Sequence, residues 1–298
     1  MEIRGTWLQY YLFRIASVAL GWLPIPISYF VASVIAETIY ILAVKTRNAV
    51  ASNLRQVMGP YRSPQDIQVA VKGVFSTACK NYVDLLKVPF RDPAHLEEKL
   101  TISGLHHFQR ALDEGRGVVL ATAHFGNFDM VAQVMSQHYP GVTVLIEPLQ
   151  PAPLFRLVKR LRESQGLDIR PVGIGSLKSV IHRLRRGGIA VIACDRDIGK
   201  NGLRTPFFGR VSTLPTGAAD LALRTGAVLL PIFSVRHADD RWVVYIEPPI
   251  STNSATNRQE AMEHCVAQVK CAMESYIRRY PHQWVVFDPL WGDGAREG

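Results

Sequence analysis

From about residue 100 onward, the chain alternates short apolar runs with longer segments in which apolar residues recur near every fourth position. Short apolar runs bounded by glycine or polar residues predict buried strands, and the longer recurrence predicts helices. The predicted strands are 100–102, 118–123, 142–146, 169–172, 189–193, 228–235 and 242–246, and the predicted helices are 106–114, 130–135, 153–165, 177–186, 216–225 and 259–279. This alternation predicts an α/β fold with a mainly parallel central sheet flanked by helices.

The N-terminal region is more apolar than the rest of the chain. Trp7–Leu23 is mostly apolar, Pro24 and Pro26 interrupt the pattern, and Ile27–Val44 is a second apolar run whose one charge is Glu37. The second run lies near the lower length limit for crossing a bilayer, where burying Glu37 would cost a few kcal/mol. An interfacial hairpin of two helices, broken at the prolines, avoids that cost. Ordinary core helices are the third interpretation, and the sequence leaves all three open.

The domain organisation follows from these patterns. We interpret residues 1–60 as apolar, membrane-associating helices and residues 61–298 as the α/β domain, with amphipathic helices over 47–58 and 67–86. No Ser/Gly linker, low-complexity run or internal repeat divides the chain further. The predicted architecture is therefore one α/β domain with a helical, apolar N-terminal extension.

Composition and charge narrow the partners. Of the 298 residues, 48% are hydrophobic, and the formal net charge of +9 indicates an anionic partner or surface. We expect no nucleic acid, because no binding motif accompanies the charge. An anionic membrane surface explains the charge and the apolar N-terminus together. The four cysteines form no metal-ligand or C-x2-C pattern, and no glycine-rich phosphate loop occurs, so we expect no disulfide, no metal and no bound cofactor.

One strand end carries the most informative chemistry. The apolar run 118–123 stops at His124, Gly126 and Asn127 permit a tight turn, and Asp129 falls in the first turn of the next predicted helix. The carboxyl edge of a parallel sheet is where ligands bind in such folds. A neutral histidine takes up a proton near pH 7, and a carboxylate on its other ring nitrogen would fix the tautomer.

No protein nucleophile accompanies this His/Asp pair. The chain has no G-x-S-x-G elbow and no cysteine near His124, which favours a reaction in which the substrate supplies the hydroxyl. Direct acyl transfer from a thioester to an alcohol is such a reaction. The alternative interpretation is structural, with His124 at a strand end and Asp129 as a helix cap.

Two further segments are predicted at the same edge of the sheet. Asp195-Arg196-Asp197 follows the run 189–193, and Glu147 follows the run 142–146. Carboxylates bind sugar or alcohol hydroxyls, and arginine holds phosphate. The alternatives are a mutual Asp–Arg–Asp ion network that shapes the loop, and a lone exposed glutamate.

Five ordered blocks resemble a known family. H-F-G-N-F-D at 124–129 resembles the H-x4-D/E motif of the glycerolipid acyltransferase superfamily, in the branch of bacterial lipid A late acyltransferases and phosphatidylinositol mannoside acyltransferases. The other blocks are Arg47-Asn48 with Asn53-Leu54, Asp195-Arg196-Asp197 with Pro206-Phe207-Phe208-Gly209, Leu214–Ala219 with Arg224–Ala227, and Arg278–Trp284. Asp129, Glu147 and Arg162-Glu163-Ser164 lean toward the mannoside enzymes, and Leu214–Gly217 leans toward the lipid A enzymes.

The resemblance implies roles for particular residues. His124 would act as general base, Asp129 would orient it, and backbone N–H groups near Gly126 and Asn127 would hold the oxyanion. Arg162 would contact the acyl donor or the lipid phosphate.

The implied substrates are an acyl thioester, from coenzyme A or acyl carrier protein, and a glycolipid or phospholipid acceptor. The implied location is the cytoplasmic side of the inner or plasma membrane, as a peripheral or monotopic protein. A thioesterase with the same dyad and a non-enzymatic lipid-binding protein are the competing interpretations.

Overall fold

A computed structural model describes residues 7–252 and 257–291. The strands within them are β1 Leu100–Ser103, β2 Val118–Thr122, β3 Thr143–Ile146, β4 Asp168–Pro171, β5 Ile189–Ala193, β6 Leu203–Phe207, β7 Arg210–Leu214, β8 Val228–Arg236 and β9 Trp242–Ile246. The helices are α1 Trp7–Trp22, α2 Ile25–Leu42, α3 Val44–Met58, α4 Pro64–Lys87, α5 Pro93–Glu97, α6 Leu105–Asp113, α7 Phe128–His138, α8 Ala152–Glu163, α9 Ile174–Leu184, α10 Gly217–Thr225 and α11 Arg258–Arg279.

The predicted mainly parallel sheet is confirmed. Seven strands pair in the order β1-β9-β8-β2-β5-β3-β4. The five strands from β8 to β4 are mutually parallel, whereas β9 pairs antiparallel with β8 and parallel with β1. All five residues of β2 are buried, because helices cover both faces of the sheet. The carboxyl ends of β2, β5 and β3 therefore lie side by side at one edge.

The hydrophobic core lies in two layers. Val119 and Ala121 point into the layer beneath α9, α10 and α11, and Val118 and Leu120 point into the layer beneath α6 and α7. This alternation along β2 is the two-residue period of a strand, which gives each face its own set of apolar side chains. The two layers hold the carboxyl edge rigid, so that loops leaving it start from fixed positions.

The antiparallel hairpin of β6 and β7 was not predicted. Its strands mix polar residues and a proline, Pro206, so they lack the apolar run that marks the central strands. Phe208 adopts a positive φ of 51° at the turn, where Gly209 follows. Phe207 and Phe208 anchor the hairpin by packing against Trp284 and Trp291.

The N-terminal helix α2 lies along α4 and buries one face only. The buried residues recur at helical spacing and include Tyr29, Ala32, Ala36 and Tyr40. The opposite face exposes large apolar side chains, namely Ile27, Phe30, Val34, Ile35, Ile39, Ile41 and Leu42. By length and composition alone, α2 could cross a membrane. Glu37, however, pairs with Lys72 of α4 at 2.7 Å. Since one face of α2 is exposed, it is not a fully buried core helix, and the spanning and interfacial interpretations stay predictions. The division at residue 60 stays a prediction.

Candidate active site at the carboxyl edge

The β2–α7 loop (residues 123–127) makes the tight turn that the sequence predicts. β2 ends at Thr122, and α7 begins at Phe128, so that Asp129 lies in its first turn. Gly126 adopts a φ of +61°, and a Cβ atom there would lie 1.7 Å from the carbonyl oxygen of Ser234. Only glycine permits so close an approach of the loop to β8, which explains why the turn requires it.

His124 is held by Asp195, not by the carboxylate nearest in sequence. His124 Nδ1 lies 2.8 Å from Asp195 Oδ1, and Asp195 Oδ2 accepts hydrogen bonds from the His124 backbone N–H at 3.1 Å and from Trp284 Nε1 at 2.9 Å. The two residues meet because β2 and β5 are neighbours and Asp195 follows the end of β5. No described residue hydrogen-bonds His124 Nε2, and the side chain of His124 is 31% exposed. One ring nitrogen is therefore fixed and the other is open.

The charge on Asp195 is maintained despite its burial. Complete burial alone would raise the pKa of Asp195, but His124 and the three hydrogen bonds outweigh burial and lower it. An ionised carboxylate at this position keeps the Nδ1 proton on His124 and leaves Nε2 as the basic nitrogen. A histidine and a carboxylate in this arrangement can act chemically as a general base and its orienting group.

The predicted contact of Asp129 with His124 is replaced in the structure. Asp129 forms a two-pronged ion pair with Arg162, with Oδ1 to Nε at 2.6 Å and Oδ2 to Nη2 at 2.9 Å. Asp129 lies one residue inside α7 on the side facing α8, whereas the partner of His124 comes from the adjacent strand end. Burial alone would lower the pKa of Arg162, but Asp129 outweighs burial and raises it. Arg162 thus clamps α8 to the start of α7, and its contact with a donor or phosphate stays a prediction.

The backbone N–H groups of Gly126 and Asn127, which the resemblance assigns to an oxyanion hole, are already hydrogen-bonded within the protein. The Gly126 N–H donates to the Gln283 carbonyl at 2.9 Å, and the Asn127 N–H donates to Ser234 Oγ at 2.8 Å. Both donors are consumed because the C-terminal segment and β8 pack directly against the loop. The N–H groups of Phe128 and Asp129, in the first turn of α7, have no partner among the described residues.

The remaining predicted residues separate into different roles. Arg196 pairs with Asp288 at 2.8 Å, and Asp197 accepts the Gly202 N–H at 2.9 Å, so neither joins the mutual ion network considered as the alternative. Glu147 directly follows β3 and is half-buried, and no described residue forms a hydrogen bond with its side chain. Of these three residues, Glu147 keeps a free carboxylate at the carboxyl edge.

A narrow cleft adjoins the histidine. It lies between α7 and the sheet, and its walls are mostly apolar. Leu120, Val131, Met135 and Val191 line it, and Phe128 stands at the side of His124 with ring centroids 6.1 Å apart. Apolar walls next to a histidine base suit a hydrocarbon group.

Several residues of the site were not predicted from the sequence. Trp284 holds Asp195, Ser234 holds the loop, and Asp84 and Asn81 contact the loop from α4. Asp84 carried one signal, since it is a charged residue beside the apolar Val83, Leu85 and Leu86 of a predicted amphipathic helix. Trp284 lay within the last of the five resembling blocks, but its contact depends on the folding of remote segments.

Comparison with known proteins identifies relatives over most of the chain. The family model of bacterial lipid A biosynthesis acyltransferases matches residues 1–292. Phosphatidylinositol mannoside acyltransferase of Mycolicibacterium smegmatis is 30% identical over 244 residues, which cover 80% of this chain and 77% of the relative. The lipid A biosynthesis palmitoleoyltransferase of Escherichia coli is 23% identical over 277 residues, covering 89% and 86%. Among solved structures, the 1-acyl-sn-glycerophosphate acyltransferase of Thermotoga maritima aligns with a TM-score of 0.38 at 14% identity, covering 88% of this chain and 97% of that chain.

Proposed function

The chain belongs to the bacterial lipid A biosynthesis acyltransferase family, and from this premise we propose that it acylates a hydroxyl of a membrane glycolipid or phospholipid. As a member of the family it is an acyltransferase. The acceptor we propose is a phosphatidylinositol mannoside, because the relative so named is 30% identical whereas the lipid A palmitoleoyltransferase is 23% identical. The observation that carries the proposal is His124, fixed by Asp195 at Nδ1 and open at Nε2.

His124 is the general base of the proposed reaction. Its Nε2 removes the proton from the acceptor hydroxyl while that oxygen attacks the thioester carbonyl carbon. The carbon–sulfur bond then breaks, and the protonated His124 returns the proton to the leaving thiolate. An ester and a free thiol are formed, and no cofactor takes part. Asp195 stabilises the imidazolium between the two proton transfers.

The start of α7 provides the proposed site for the developing oxyanion. The N–H groups of Phe128 and Asp129 are free among the described residues, and the partial positive charge at a helix N-terminus favours an anion there. The ion pair of Asp129 with Arg162 holds this helix start in place. In this proposal Asp129 and Arg162 act on the position of α7, and Asp195 acts on the histidine.

The acyl chain occupies the apolar cleft between α7 and the sheet in our proposal. Phe128 lines the cleft and its ring centroid lies 6.1 Å from that of His124, so we place the thioester carbonyl next to His124. Met135, one helix turn beyond Val131, also lines the cleft and is the residue we expect to limit chain length.

Membrane attachment through the N-terminal helices completes the proposal. The outward face of α2 exposes Phe30 by 70% and Leu42 by 74%, and α1 exposes Trp22 by 87%. Such a face is expensive in water and favourable at the apolar boundary of a bilayer. The formal charge of +9 adds attraction to anionic lipids. We therefore propose a monotopic protein on the cytoplasmic side of the inner or plasma membrane.

A transfer assay tests the function. Purified protein is incubated with isotope-labelled acyl chains, on coenzyme A or on acyl carrier protein, with vesicles that contain phosphatidylinositol mannoside, lipid A precursor or neither. We expect label in the mannoside lipid, and His124→Ala should abolish it. The donor arms then identify the carrier. Label in the lipid A precursor alone would reassign the acceptor, and free fatty acid released equally with and without acceptor would indicate a thioesterase.

A further inference from the structure

Asp84 is a fully buried carboxylate on α4, next to the β2–α7 loop. Its Oδ1 accepts a hydrogen bond from the Tyr29 hydroxyl at 2.6 Å and lies 2.9 Å from Arg91 Nη2. Its Oδ2 accepts from Asn127 Nδ2 at 2.7 Å and from Arg236 Nη2. Tyr29, Asn127 and Arg236 donate hydrogen bonds, whereas Arg91 is paired by charge, so two of the four partners are cations. A buried carboxylate with these partners is fixed in position, because any movement leaves a charge or a donor unpaired.

The contact with Asn127 sets the orientation of its side-chain amide. Because Nδ2 donates to Asp84, the amide oxygen faces α7 and accepts the Met130 backbone N–H at 3.2 Å. That second bond is the N-cap of α7. A flipped Asn127 would oppose its NH2 group to the Met130 N–H. Asp84 thereby determines how the helix that carries the proposed oxyanion donors begins.

A second route connects the same carboxylate to the loop. Arg236, paired with Asp84, also donates to Asn81 Oδ1 at 3.2 Å, and Asn81 Nδ2 donates to the Gly126 carbonyl at 2.5 Å. The backbone of Arg236 forms two hydrogen bonds with the side chain of Gln283, and the backbone carbonyl of Gln283 accepts the Gly126 N–H. Gly126 is thus fixed at both its carbonyl and its N–H.

The network also reaches the N-terminal helices. Tyr29 lies on the buried face of α2, and burial followed by the Asp84 charge raises its pKa to about 12, so the phenol stays protonated and donates. Three residues along α4 from Asp84, Lys87 donates to the carbonyl of Leu23 at 2.6 Å and to that of Leu20. These carbonyls lie at the end of α1 and the turn before α2. The helices with the exposed apolar face are therefore attached to the same stretch of α4.

We propose that Asp84 is a positioning residue for the β2–α7 loop and that Tyr29 links the N-terminal helices to it. The inference rests on the proposed function, because it assigns Asp84 to the loop that carries His124 and to the start of α7. Asp84 touches neither substrate nor His124. Its effect passes through Asn127 to the helix start and through Arg236 to Gly126.

Asp84→Asn tests the first part of the proposal. Whichever way the new amide turns, its NH2 group faces two donors. One orientation opposes Tyr29 and Arg91, and the other opposes Arg236 and Asn127. We expect kcat to fall roughly 10- to 100-fold, the combined effect of a lost charged hydrogen bond and a weakened helix cap. The KM for the acyl donor should stay within about twofold, because the cleft walls do not change.

Tyr29→Phe keeps the test decisive if Asp84→Asn does not fold. It removes one hydroxyl from the network, and we expect kcat to fall roughly three- to tenfold with KM unchanged. Tyr40→Phe is the matched control, because Tyr40 is another buried tyrosine on α2 whose hydroxyl contacts Gln68 instead of Asp84. It should stay within about twofold of the wild type.

The outcomes separate the inference from the proposed function. The positioning role would be overturned if the folded Asp84 and Tyr29 variants had wild-type kcat, or if Tyr29→Phe and Tyr40→Phe lost kcat equally. The proposed function would still stand in either case, provided that His124→Ala is inactive. An active His124→Ala would overturn the proposed function itself. Amide hydrogen exchange over residues 124–130 supplies a second readout, and faster exchange in Tyr29→Phe but not in Tyr40→Phe is the expected result.

Discussion

Replacing Asp195 with asparagine tests the contact between Asp195 and His124, which sequence proximity alone did not indicate. The carboxylate accepts one hydrogen bond at Oδ1, from His124 Nδ1, and two at Oδ2, from the His124 N–H and Trp284. An asparagine oxygen placed at the Oδ2 position keeps two of these three bonds. This orientation is favoured by about 1 kcal/mol, the usual value of one net hydrogen bond.

That orientation places the amide NH2 against His124 Nδ1. Nδ1 must then accept a hydrogen bond, which moves the ring proton to Nε2, the nitrogen that should act as the base. The variant also loses the negative charge that stabilises the imidazolium. We expect kcat to fall by about 10⁴, the loss seen when a triad aspartate is replaced in this way. The KM for the donor should change little, because Asp195 does not line the cleft.

The assay is steady-state acyl transfer by purified variants at several pH values, with Asp129→Asn measured beside Asp195→Asn. Asp129→Asn keeps the His124–Asp195 pair, so we expect a smaller loss and a pH profile like that of the wild type. Near-normal kcat for a folded Asp195→Asn would refute the reasoning. A shifted profile in Asp129→Asn alone would return the orienting role to Asp129.

Four further results are expected. In urea denaturation, the wild type should have a higher free energy of unfolding than Asp195→Asn, and this difference should shrink below about pH 4. The pKa of Asp195 is lowered from 3.8 on folding, so its stabilising charge is lost as the pH falls through the pKa of the folded state. Gly126→Ala should lower the free energy of unfolding by roughly 3 kcal/mol or more, since its Cβ would meet Ser234 at 1.7 Å. Arg162→Ala should strongly reduce activity, and Arg162→Lys should restore only part of it. The double variant Arg162→Ala with Asp129→Asn should lose no more activity than the worse single variant. Additive losses would refute the role of the Asp129–Arg162 ion pair as a clamp between α7 and α8. Phe30→Asp should reduce sedimentation of the protein with anionic vesicles, and salt should release the wild type from them in part. Unchanged vesicle binding by Phe30→Asp would exclude the outward face of α2 as the membrane-contact surface.

The sequence was sufficient to predict the elements that are determined by local residue patterns. β5 and β9 have the predicted bounds, and His124 lies at a strand end with Asp129 in the following helical turn. Apolar runs and the turn residues after them carry this information because strand and helix periods differ. The expectation that Asp195 shares an edge with His124 follows from the same rule about parallel strands.

Pairing across the sheet could not be predicted in the same way. The choice of Asp129 as the partner of His124 followed sequence proximity, whereas Asp195 is 71 residues away and becomes adjacent only because β5 lies beside β2. Strand order is a tertiary property that no local pattern encodes. The loop N–H groups were assigned to an oxyanion for the same reason, since their acceptors, Gln283 and Ser234, arrive from remote segments.

Mass spectrometry of lipids from cells that lack this protein is the most direct test of the central claim. Cells carrying the gene deletion are complemented with the wild type, with His124→Ala or with an empty vector, and their membrane lipids are compared. The account predicts that one acylated glycolipid disappears in the deletion while its precursor, lighter by one acyl group, accumulates. The wild type restores that species, whereas His124→Ala, present at an equal level, does not. An unchanged lipid profile in the deletion, or full restoration by His124→Ala, would contradict the account.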